Sequence, residues 1–157
     1  MLRYQLLSMS LLLVCAAAAR AAEPFDRTHV AWSALLAAHV HWNDAGTAST
    51  VDYAGFARDR AALDAYRAAL AAVGERDFAT WPAADRLAFL TNAYNANTVA
   101  LVLTRYPDLV SIKDLGGLFS RPWKQRFVEL LGAKRSLDDI EQTLIRGGVG
   151  ATQPRIH

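Results

Sequence analysis

Cysteine is nearly absent from this chain: of its 157 residues, only Cys15 carries a thiol. Cys15 stands in the first stretch, MLRYQLLSMSLLLVCAAAARAA, so removal of that stretch leaves none. A chain in that state has no disulfide, no cysteine-containing metal site and no cysteine nucleophile of its own. An excess of one charge is lacking too. Lys plus Arg total 17 and Asp plus Glu 15, and setting aside Arg3 and Arg20 of the first stretch leaves a neutral body. Neutrality argues against nucleic acid as a partner, because phosphate binding needs a basic excess. GxGxxG, P-loop, HExxH and GxSxG patterns are missing as well. Gly116-Gly117 and Gly147-Gly148 read as turns, and no cofactor is expected.

What is present begins with that first stretch. It has a basic start, an apolar centre and small residues at its end, the pattern of a secretory signal peptide. Ala19-Arg20-Ala21 offers a cleavage site, so residues 1–22 are expected to be a leader and the protein secreted or periplasmic. An uncleaved anchor is the alternative, but the run is short for a span and no second apolar run follows it. Lipid on Cys15 is disfavoured by Val14, which stands where a small residue is expected. The remaining length suits one domain, and 53% hydrophobic residues argue against disorder.

Periodicity then predicts a mostly helical α+β chain with a short β-hairpin. Thr28–Trp42 reads as a helix, on which His39 and His41 point to different sides and so share no metal. Thr50–Tyr53 reads as extended. Arg58–Val73, with Leu63, Tyr66 and Leu70 at spacings of three and four, reads as one amphipathic helix closed by Gly74. Thr80 is placed to cap a central helix with Pro82 in its first turn. That helix holds Leu87–Arg105, apolar on nearly every side, and Tyr106-Pro107 ends it. Arg126–Leu131 and Lys134-Arg135 flank a turn at Gly132. Ser136 and Asp139 match a capping box, opening a helix to Arg146 with Leu137, Ile140 and Leu144 inside.

Three features bear on chemistry. Asn92, Tyr94 and Asn95 lie on the central helix, on no obviously wet face; they either bridge core elements or touch a substrate. Glu141 is either a surface charge paired with Arg146 or Arg155, or part of a site. His157 is either a frayed end or a base, with Arg155 nearby. Asp138, Asp139 and Glu141 suit the positive end of a helix and are too few for a hard-metal site. Trp123-Lys124-Gln125-Arg126 is a basic-aromatic patch too small for nucleic acid.

Five pieces in order resemble the family called domain of unknown function 547. They are Val51-Asp52-Tyr53-Ala54-Gly55-Phe56, Ala88–Ala96, Tyr106-Pro107 with Ser111–Leu115, Ser136–Glu141 and Pro154-Arg155-Ile156-His157. The family has tryptophan-isoleucine where this chain has Leu90-Thr91, and its members continue into a cysteine-bearing segment. Residues 23–157 are thus expected to be the N-terminal portion of such a domain, truncated before that segment. The resemblance implies a papain-like fold with rearranged element order. It implies a cysteine-dependent hydrolase or transferase whose relatives supply the nucleophile, with His157 as base and Glu141 or an asparagine orienting the imidazole. Paired cysteines in the family also permit a redox role. This chain alone is then expected to be inactive. The other reading is a non-catalytic domain that binds a peptide or a cell-envelope component.

Overall fold

The structure is a computed structural model and describes residues 24–109 and 122–149. Helix α1 (Val30–His39) runs into strand β1 (Val40–Trp42), which pairs antiparallel with β2 (Ser49–Val51). Helices α2 (Tyr53–Arg58), α3 (Arg60–Ala71), α4 (Glu75–Ala79) and α5 (Ala83–Leu103) follow. After a 3-10 turn, Pro122–Lys124, come β3 (Val128–Leu130), its antiparallel partner β4 (Ala133–Arg135) and a π-helix, Asp139–Arg146. The architecture is α+β and mostly helical, with two two-stranded sheets rather than the one hairpin expected.

α5 is the spine. Phe89, Leu90, Ala93, Ala96, Asn97, Ala100 and Leu101 form a buried stripe at spacings of three and four. Around it pack Leu63, Tyr66 and Leu70 of α3, Phe56 of α2, and Leu137 and Ile140 of the C-terminal helix. Val128 and Leu130 close the core from β3 while Glu129 between them points out, a strand period of two.

Several boundaries depart from the sequence expectation, each for a local reason. α1 stops at His39 instead of reaching Trp42, because the His39 carbonyl accepts from the Asp52 backbone N–H at 2.8 Å and Val40 turns extended. Tyr53 is helical, not extended, since the Asp52 carboxylate accepts from the Gly55 N–H at 2.9 Å and caps α2. The helix expected over Arg58–Val73 is α3, but it starts two residues later, because Arg58 closes α2 and Asp59 separates the two helices. Thr80 does not cap α5: its hydroxyl donates back to the Asp77 carbonyl at 2.7 Å, and Pro82 stands at the cap position. The Leu131-Gly132 turn has φ of 52 and 71, so both central residues are left-handed, as the type I′ form of a two-residue hairpin loop requires. Glycine adopts that backbone readily; Leu131, 5% exposed, is held there by burial.

Candidate functional site

The asparagines of α5 do not lie where their sequence suggested. Asn95 is exposed and Asn92 half-buried; the buried amide is Asn97. Asn97 Nδ2 donates to the Ala93 carbonyl at 2.8 Å, and its Oδ1 accepts from Arg67 Nε at 2.9 Å. Arg67 in turn donates to Asp64 at 2.9 Å. The polar group inside the core is therefore structural and ties α3 to α5. Among the described residues, the side chains of Asn92 and Asn95 make no hydrogen bond, and with exposed Thr91 they form a polar strip, exposed at Asn95 and half-buried at Asn92.

Tyr94 stands at the junction of three elements. α5 carries it half-buried, and Trp123 of the 3-10 turn donates Nε1–H to its hydroxyl at 3.1 Å. The C-terminal helix packs on α5 and brings the Glu141 carboxylate near enough for its charge to act on the same hydroxyl. Burial pushes the Tyr94 pKa up, the Trp123 bond works against that, and the charge of the Glu141 carboxylate raises it further. Glu141 also pairs with Arg146, whose Nη2 lies 3.1 Å from Oε1. The salt bridge to Arg146, one of the two alternatives read from sequence, thus exists.

Glu141 is aimed by two features of its helix. Ser136 and Asp139 make the reciprocal box: Asp139 N donates to Ser136 Oγ, and Ser136 N to Asp139 Oδ2, both at 3.0 Å. Arg126 adds bonds to the same carboxylate oxygen at 3.1 and 3.3 Å. The helix then widens into π geometry, closed by a bond from Gly147 N–H to the Gln142 carbonyl at 3.0 Å. π turns are uncommon and tend to mark sites where a side chain is re-aimed. Gly148 allows the exit, because a side chain there would run into the Leu144 carbonyl oxygen.

The structure thus sets Glu141 near Tyr94 and places exposed Asn95 and half-buried Asn92 on the same helix as Tyr94, while Arg155 and His157 lie outside the described residues. The sequence reading missed Trp123 as a partner of Tyr94, having taken it as part of a basic-aromatic patch. The signal for Asn97 was weaker still, since only the tertiary position of Arg67 distinguishes it from Asn92 and Asn95. A surface pocket of about 200 Å³ lies elsewhere, at the end of α5, lined by Thr104, Arg105, Tyr106, Asp108 and Leu109. It contains none of the residues singled out for chemistry. Among the described residues, no three His, Cys, Asp or Glu side chains converge as a metal site, and no helix is long and apolar enough to cross a membrane.

A family profile described as "Protein of unknown function, DUF547" matches residues 78–157, the half of the chain that contains α5, Trp123 and Glu141. No curated protein and no solved structure matches the sequence.

Proposed function

This chain belongs to the DUF547 family, and on that premise we propose that it is a secreted or periplasmic protein carrying part of a thiol-dependent hydrolase or transferase site. The leader-like residues 1–22 support the location. One observation carries the chemistry: the Glu141 carboxylate, on the helix that packs against α5, lies near enough to the Tyr94 hydroxyl for its charge to raise the phenol pKa. A half-buried carboxylate fixed by Arg146 is suited to orient an imidazole. In this reading His157 is the base, Glu141 positions it, and Arg155 with the amides of Asn92 and Asn95 holds the substrate. A papain-like arrangement in rearranged order is the fold that this reading implies. A histidine beside a thiol lowers its pKa and activates it. The sequence has no cysteine after Cys15, so these residues without their leader are expected to bind and orient but form no covalent intermediate.

The test is the NMR titration of the His157 imidazole in the full chain and in Glu141→Gln. A carboxylate at the ring favours the imidazolium, so the variant should titrate lower by about one unit. An unchanged midpoint would sink the assignment.

The polar strip of Thr91, Asn92 and Asn95 favours a second reading, a non-catalytic domain that binds a peptide or cell-envelope component through that face. Retention of the wild-type chain on cell-wall sacculi, together with an unshifted His157 in Glu141→Gln, would select it.

A further inference from the structure

The segment before α1 is held down by its side chains. Phe25 stacks on Trp81 at 5.9 Å and meets Phe89 edge-on at 5.3 Å. Arg27 pairs with Asp85 of α5 at 2.7 Å and lies over the Trp81 ring at 5.8 Å. The Asp26 carboxylate accepts from the N–H groups of Thr28 and Val30 at 2.9 and 3.0 Å, fastening the start of α1.

His29 is the centre of this arrangement. Its backbone is left-handed, with φ 56 and ψ 37, which costs energy for most residues other than glycine, asparagine and aspartate. Its ring is buried, 6% exposed, with Nδ1 2.8 Å from the Tyr66 hydroxyl of α3 and Phe25 edge-on at 5.4 Å. Nε2 is buried with no hydrogen-bond partner among the described residues. With the proton on Nδ1, a neutral ring leaves there only an unused lone pair. An imidazolium puts a charged N–H in the same place with nothing to accept it.

We propose that residues 24–29 are an acid-released strap: protonation of His29 detaches the segment from α3 and α5 while the helices beneath stay folded. The groups that act on the ring are few. Asp26 on its own segment and Asp85 from α5 favour the cation, and α3 presents only Tyr66, which burial keeps protonated. Trp32, one turn along α1, offers a buried donor and no acceptor. Arg27 already engages Asp85. Burial outweighs both carboxylates and holds the His29 pKa below its ordinary value. Docking is therefore complete above the ordinary histidine pKa of about 6.5 and weakens up to tenfold per pH unit as pH falls from there to the folded value.

Amide hydrogen exchange on the full chain at pH 7.5 and pH 5 tests this, with rates corrected for their intrinsic pH dependence. Protection of the His29, Val30 and Ser33 amides should fall about tenfold, while the amides of α5 keep theirs. In His29→Asn, whose short amide tolerates the left-handed backbone and does not titrate, protection should be the same at both pH values. Equal protection of the wild type at both pH values, or a loss that persists in the variant, would overturn the proposal. So would a wild-type His29 imidazole titrating at or above its ordinary value, a measurement that stands even if the variant fails to fold.

Discussion

The imidazole of His39 lies directly against the Cα of Gly55, so close that a methyl group there would overlap Nδ1 and meet Asp52 Oδ2 at 2.5 Å. The other face of the contact is fixed as well. His39 Nε2 bonds Asp59 Oδ2 at 2.8 Å, and Phe56, fully buried, packs on the ring at 4.8 Å. One histidine thereby locks α1, α2 and the start of α3 together, and Gly55 is the residue that makes room for it.

Gly55→Ala should therefore destabilise the protein although alanine is the better helix former. Overpacking costs typically about 1–3 kcal/mol, and this ring cannot yield without breaking its bond to Asp59. Thermal denaturation followed by circular dichroism would show a lower midpoint. A midpoint equal to or above wild type would mean that the ring has room to move.

Two asparagines two residues apart should behave oppositely. Asn97→Ala strands Arg67 Nε and removes the tie to the Ala93 carbonyl, so a loss of about 1–3 kcal/mol is expected in urea unfolding. Asn95→Ala, on the exposed side of the same helix, should stay within about 0.5 kcal/mol. Equal losses at both positions would contradict the described burial.

The capping box sets an acid response. Bonding to the Ser136 N–H first, then to the Ser136 hydroxyl and Arg126, holds the Asp139 carboxyl below its ordinary value. A carboxylate whose folded pKa is depressed stabilises the fold above its ordinary pKa of about 3.9 and loses that contribution as pH falls through the folded value. Ser136→Ala should cost about 1 kcal/mol at pH 7. The gap between the variant and wild type should narrow in unfolding measurements below pH 4. A gap that widened on acidification would show that Asp139 is not the group being capped.

The parts of the fold that were legible in the sequence are those governed by near neighbours. The Ser136–Asp139 box depends on residues three apart, and it formed as read. The turn at Gly132 and the inner stripe of Leu63, Tyr66 and Leu70 follow from local backbone freedom and helical period, and they too stand. Thr80 failed because a hydroxyl can bond forward or backward, and the end of α4 claimed it. The start of α3 was displaced by two residues because periodicity does not register Asp59, the single residue that leaves the helix between α2 and α3. Of the candidate site, Tyr94 and Glu141 are legible in the sequence as polar groups, but their proximity depends on how the C-terminal helix packs on α5, which no composition or period reveals.

The amino-acid sequence by itself determined the helical character of the chain, its second hairpin, the helix start at Ser136 and the family to which it belongs, because propensity, spacing and motif order reside in the chain alone. Only the tertiary structure decided which asparagine of α5 is structural, since Asn92, Asn95 and Asn97 share a helix and a propensity. What separates them is whether Arg67 arrives from α3 across the core, and that depends on packing over thirty residues of sequence.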